Sequence, residues 1–296
     1  MWKFLKISAL VFVGIVLTDI AAWQIVDRTT LSVPAEGLTR HEMTTETDWT
    51  MSYIQQADSD PEAQRLIYVH GTPGDATSLE GYLVDPMEGF ESISIDRPGF
   101  GHTTPKKPAL SLKEQARVIE PFLVERDGKW PILVGHSMGG PIIAQVAAMY
   151  PEMVGGLVIA SGALDPELEE WRWYNSLANT WVTAYMIPRG LRNSNRELAP
   201  LKSELEKLKP LLGKVKCPVV IVHAPDDMLV PFENVAYMEN QFSEGIVKEV
   251  MVLEDRNHFL PWNSEADIRR AIEVVSGRAD ENRSDEPGIE LSLEAR

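Results

Sequence analysis

The sequence predicts an α/β fold: a mostly parallel central β-sheet flanked by helices, with a short helical cap inserted late in the chain. Three observations carry this expectation. From about Trp49, short apolar runs of strand length alternate with longer amphipathic stretches, as they do when parallel strands are wrapped by crossover helices. Two glycine-containing turns, at 70–74 and 135–139, each follow a strand-like run. The interval 165–212 breaks the rhythm, having aromatic and charged helical character but no strand-like run. With 296 residues and 44% hydrophobic content, a single large core accounts for the length without a second domain.

Taken in order, the chain opens with Lys3 and Lys6 before an apolar stretch from Ile7 to Leu17, interrupted by Asp19 and resumed at Ile20. A bilayer span needs about 20 residues. Residues 7–26 supply that length if Asp19, near the outer end where a charge costs less, is tolerated. Residues 1–26 are therefore expected to anchor the chain in a membrane, with the remainder on the outer, extracytoplasmic side. The alternatives are a signal segment cleaved near Ala22, leaving a secreted or periplasmic protein, and a buried or surface helix of a cytoplasmic one.

Residues 27–48 are polar and Pro/Gly-punctuated, a linker or irregular lead-in. The sheet is expected from the runs at 66–69, 92–95, 132–134, 157–159, 219–222 and 250–253. Ser111 and Glu114 have capping-box spacing, and Ser264 is placed to cap a helix ending near Val275. These features assign 49–164 and 213–277 to the two parts of the core and 165–212 to the cap. The acidic, Gly/Pro-broken tail at 278–296 is expected to be disordered.

Composition narrows the function. A formal net charge of -16 with no basic cluster argues against nucleic acid and against docking on anionic lipid through a polybasic patch. The one cysteine, Cys217, precludes an intrachain disulfide and reads as a small buried hydrophobe. No Cys/His cluster has ligand spacing, so no metal is expected, and no cofactor is called for.

Gly135-His136-Ser137-Met138-Gly139 lies between a strand-like run and a helix-like one. A nucleophile on so tight a turn needs small residues two positions before and after it. The turn lifts the hydroxyl over a helix N-terminus, whose free N–H groups favour developing negative charge. His70-Gly71-Thr72-Pro73-Gly74 lies one strand–helix–strand–helix unit earlier. It reads as the second half of an oxyanion hole, with an N–H near Thr72 beside that of Met138.

With Asp96-Arg97-Pro98-Gly99-Phe100-Gly101 between them, these segments make the chain resemble the α/β-hydrolase superfamily, in its serine esterase and lipase-like branch. The resemblance covers about Trp49 to Gly277. It implies an acid and a histidine following Ser137 in that order. Ala224-Pro225-Asp226-Asp227-Met228-Leu229-Val230-Pro231 matches the family's acid loop; Asp227 falls on the motif aspartate, Asp226 competes beside it, and Ala224 replaces the usual glycine. His258 follows the last strand-like run, where the family places its base; His41, His70, His102, His136 and His223 lie elsewhere.

The resemblance implies hydrolysis of a carboxylic ester with an apolar acyl or alkyl group through an acyl-enzyme. Leu177, Met186 and the tryptophans of the cap are candidates for the pocket wall. Thioesterase, cofactor-free peroxidase and aminopeptidase activities remain open, as does a non-catalytic ligand-binding protein. Ser137 disfavours the epoxide hydrolase and dehalogenase branches, which use Asp there. Nothing in the sequence reports oligomeric state.

Overall fold

Eight short segments pair into one sheet: β1 (Leu38–Thr44), β2 (Thr50–Gln56), β3 (Gln64–Val69), β4 (Phe90–Asp96), β5 (Ile132–His136), β6 (Gly156–Ala160), β7 (Val219–His223) and β8 (Val247–Val252). They belong to a computed structural model that describes residues 8, 11–22, 32–170, 176, 180 and 187–279. The order across the sheet is β1-β2-β4-β3-β5-β6-β7-β8. The β1–β2 and β2–β4 pairs are antiparallel, and every pair from β4 to β8 is parallel.

The six expected strands are β3 to β8. In β3, β5, β6 and β7 the apolar runs are continuous because side chains alternate between two covered faces, whereas β8, at the sheet edge, is mostly half-buried or exposed. Ile67, Val69, Ile93, Ile95, Leu157 and Ile159 pack on one side. Leu66, Tyr68, Ile132, Val134, Val158 and Ala160 pack on the other. The lead-in differs from expectation, since residues 38–44 form strand β1. Only Leu38 of its seven residues is buried, and the strand is held by backbone pairing with β2 from Leu38↔Gln56 to Thr44↔Thr50. Such an edge strand leaves no apolar run to read.

The helices that shape the site are α1 (Leu112–Ile119), α2 (Gly139–Met149), α3 (Arg189–Leu198), α4 (Leu201–Leu208), α5 (Asn234–Gln241) and α6 (Glu265–Ser276). Ser111 caps α1, accepting the Glu114 N–H at 3.1 Å; its hydroxyl in turn donates to the Glu114 carboxylate. Ser264 precedes α6 without a side-chain cap bond, and Gly277, in the left-handed region at φ 80, closes it. Cys217 is buried, and burial pushes its thiol up to about 12.

One expectation is overturned. Residues 11–22 are helical and include Asp19. Among the described residues no helix is long and apolar enough to cross a membrane. The transmembrane anchor and the membrane as a partner of the N-terminal segment are therefore corrected.

Of the tail, Arg278 is described: its guanidinium donates to the Glu88 and Gly89 carbonyls at 2.7 and 3.0 Å and lies over the Phe90 ring. The rest of the disorder expectation, at 280–296, lies outside the described residues. So do Trp171, Trp173, Tyr174, Leu177, Trp181, Tyr185 and Met186.

Candidate active site

Ser137 stands between β5 and α2 with φ at 53, a left-handed conformation that a serine adopts only under constraint. The constraint is steric. A Cβ on Gly139 would come within 2.2 Å of the Val69 carbonyl oxygen, and one on Gly135 within 2.6 Å of the Gly139 carbonyl oxygen. The Ser137 N–H donates to the Ala160 carbonyl at 2.9 Å, tying the turn to the end of β6. Met138 then opens α2, whose unpaired N–H groups carry partial positive charge.

The turn after β3 leans against this one. A Cβ on Gly71 would lie 3.0 Å from the Ser137 Cβ, and one on Gly74 would lie 2.8 Å from His70 Nδ1. His70 is buried, accepts the Arg97 N–H at Nε2 (3.2 Å) and donates from Nδ1 to the Gly71 carbonyl (2.7 Å). Burial, reinforced by the Arg97 charge, holds its imidazole well below its ordinary value. His70 is thus a neutral strut. Thr72 donates from Oγ1 to Ser194 Oγ in α3 at 2.7 Å.

Asp227 and His258 meet across two loops, after β7 and β8. His258 Nδ1 donates to Asp227 Oδ2 at 2.8 Å, while Asp227 Oδ1 accepts the Leu229 and Val230 N–H groups at 2.9 Å each. Burial pushes the Asp227 carboxyl up, but these hydrogen bonds outweigh it and hold the group below its ordinary value. Asp226 is exposed, so of the two adjacent carboxylates it is Asp227 that faces the histidine.

His136 does more than fill the turn. Its Nε2 donates to the His258 carbonyl at 2.8 Å, and its ring lies 4.8 Å from that of His258. Burial, reinforced by His258, lowers it to about 4, so the ring remains neutral. His223, at the end of β7, donates from Nε2 to the Val230 carbonyl at 3.1 Å.

Ser137, Met138, Thr72 and His258 open on one cavity of about 570 Å³. Leu198, Leu201 and Val230 contribute apolar wall, and Glu167, Glu169 and Glu170 contribute carboxylates. Burial pushes the Glu169 carboxyl up. Among the described residues no group of three His, Cys, Asp or Glu is placed to hold a metal.

Sequence reasoning did not single out Glu197, Gln115 or the acidic wall. Arg97 and Glu197 form a buried bidentate pair (2.8 and 3.0 Å), and Arg97 also reaches Gln115 Oε1 at 2.9 Å and the Gly71 carbonyl at 2.8 Å. Arg97 was visible as part of a motif, but its ion-pair partner lies a hundred residues away.

Known proteins agree with this architecture. Residues 64–175 match the family model for the alpha/beta hydrolase fold. The dihydrolipoyllysine-residue acetyltransferase component of an acetoin cleaving system from Cupriavidus necator is 30% identical over 102 residues. That match covers 33% of this chain and 26% of the relative, so the chain spans about a quarter of that protein's length. A 2-hydroxy-6-oxononadienedioate/2-hydroxy-6-oxononatrienedioate hydrolase from Cupriavidus pinatubonensis is 24% identical over 256 residues, 73% of this chain and 87% of that protein. The Cif epoxide hydrolase structure from Acinetobacter nosocomialis superposes with a TM-score of 0.65 at 14% identity, covering 87% of this chain and 94% of that one. Residues 64–175 match that family model, and the sheet order and the structural neighbours give the described chain the α/β-hydrolase fold.

Proposed function

We propose that the chain is a serine hydrolase of carboxylic esters, with Ser137 as nucleophile, His258 as general base and Asp227 as the acid that orients it. The observation that carries this reading is the Asp227–His258 hydrogen bond at 2.8 Å, with His258 opening on the same cavity as the strained Ser137. Nδ1 is occupied by Asp227, so Nε2 is the nitrogen left to take the Ser137 proton. Attack on the ester carbon forms a tetrahedral oxyanion, received by the N–H groups of Thr72 and Met138. Proton return from His258 expels the alcohol and leaves an acyl-enzyme, which water cleaves by the same route. Leu198, Leu201 and Val230 give the acyl group apolar surface.

The test is initial-rate hydrolysis of nitrophenyl esters of increasing acyl length. The expected outcome is turnover by the parent and a loss of at least about 10⁴-fold in kcat for Ser137→Ala, with circular dichroism unchanged. Parental activity in that variant overturns the assignment.

A second reading, cleavage beside a free amine, is favoured by Glu167, Glu169 and Glu170 in the cavity wall. Carboxylates there attract a cationic group. Aminoacyl nitroanilides outrunning the esters in kcat/KM would select it.

A further inference from the structure

The buried Arg97–Glu197 pair lies outside the proposed triad, yet it touches the peptide on which the oxyanion depends. We infer that Arg97, held by Glu197 of α3, is a positioning residue for the Gly71–Thr72 peptide, and so couples α3 to oxyanion stabilisation. This inference rests on the serine-hydrolase reading.

The argument begins with peptide geometry. In a trans peptide the carbonyl and the following N–H point in opposite directions. The Gly71 carbonyl is gripped by Arg97 Nη2 at 2.8 Å and His70 Nδ1 at 2.7 Å. Fixing that oxygen fixes the opposed Thr72 N–H, and Thr72 lines the cavity with Ser137. The peptide is pressed on the nucleophile turn, since a Cβ on Gly71 would lie 3.0 Å from the Ser137 Cβ. There is little room for the carbonyl to flip.

Arg97 is itself immobilised. Its guanidinium is fully buried, forked onto both Glu197 oxygens and bonded to Gln115. A bidentate, charge-assisted pair fixes orientation as well as position. The same helix makes a second tie to the same loop, through the Thr72–Ser194 hydrogen bond at 2.7 Å. Ser194 is anchored in turn on the Gly190 carbonyl at 2.9 Å. α3 therefore holds the Gly71 carbonyl through Glu197 and Arg97 and the Thr72 side chain through a hydroxyl pair. A displacement of α3 would tilt the donor that meets the oxyanion. Misplacing such a donor acts on the transition state and spares substrate binding.

The experiment uses the full chain, a nitrophenyl butyrate assay, and phenylboronic acid as a mimic of the tetrahedral adduct. In Glu197→Gln, kcat is expected to fall roughly tenfold to a hundredfold while KM moves less than about twofold. Boronate affinity should fall in step with kcat. An Arg97→Met/Glu197→Leu double variant leaves no lone buried charge; it should melt near the parent temperature and still show the low kcat. That second variant also decides the matter if Glu197→Gln fails to fold. Parental kcat and boronate affinity in a folded Glu197→Gln chain, or recovery of both in the double variant, overturn the inference and leave the serine-hydrolase reading intact. A parent that neither turns over esters nor is labelled at Ser137 by a fluorophosphonate overturns both.

Discussion

The half of the site that carries Ser137 and Thr72 and the half that carries Asp227 and His258 open on one cavity, but different forces hold them. The first half is set by backbone pressed on backbone: Gly139 against the Val69 carbonyl, Gly135 against the Gly139 carbonyl, and Gly71 against the Ser137 side chain. Its neighbours are core residues of β3, β5 and α2, buried throughout. The second half sits on loops whose flanking side chains face solvent, Met228 being 96% exposed and Phe259 53%. There the geometry depends on three hydrogen bonds to Asp227 and on His136 reaching across to the His258 carbonyl. Sterics make the Ser137 half hard to alter without disturbing the fold. Hydrogen bonds make the Asp227–His258 half sensitive to single atoms.

That contrast is exposed to measurement. The largest effect is expected from Asp227→Asn, which keeps the shape but loses the carboxylate that orients His258; kcat should drop on the order of 10⁴-fold. Asp226→Asn, on the exposed neighbour, should stay within about twofold of the parent, since surface charges contribute little. Equal losses from the two would dissolve the distinction between a hydrogen-bonded pair and its neighbour.

A smaller effect should appear in stability against pH. Burial on folding pushes His136 down from its ordinary 6.5 to about 4. Between those values the unfolded chain holds more protons, so stability is complete above pH 6.5 and falls as pH drops towards 4. The loss from this one group is on the order of 3 kcal/mol, and His70 and His223, also shifted down by burial, act in the same direction. Asp227, held below its ordinary value by its hydrogen bonds, contributes stability that is lost only in the lower window, as pH falls through its depressed value. Denaturant melts from pH 8 to 4.5 should therefore report the buried histidines first, and His136→Gln should flatten part of that slope. A melt unchanged over this range would mean that the histidines are not kept neutral by burial.

The smallest effect belongs to the strained turn. Ser137→Gly relieves the positive φ at the proposed nucleophile and should raise stability by about 1 kcal/mol while abolishing turnover. A variant less stable than the parent would remove backbone strain from the account of the nucleophile half.

The two halves also differ in how far they can be read from residues alone. Gly135, Ser137 and Gly139 announce their turn because a clash two residues away is a local matter, and local clashes leave a spacing. The inner parallel strands β3, β5, β6 and β7 announce themselves through runs such as Val219-Val220-Ile221-Val222, since both faces are covered. β1 left no such mark, because an edge strand satisfied by backbone pairing needs no apolar run. The N-terminal segment misled through composition, since an apolar run holding Asp19 does not by itself make a spanning helix, and none is found among the described residues. The contacts of His136 with the His258 loop and of Arg97 with Glu197 were out of reach for another reason. Each joins residues more than ninety positions apart, and nothing in either local stretch names its partner.

Chain order and local sterics, both written into the sequence, determined the sheet class, the strained serine and the candidates for acid and base. Tertiary structure alone decided that Asp227 and not Asp226 turns inward, that three carboxylates share the cavity with Ser137, and that α3 grips the loop carrying Thr72. The physical reason is that a side chain's direction on a loop, and the partner it meets, depend on how distant elements pack, and packing is a property of the whole fold.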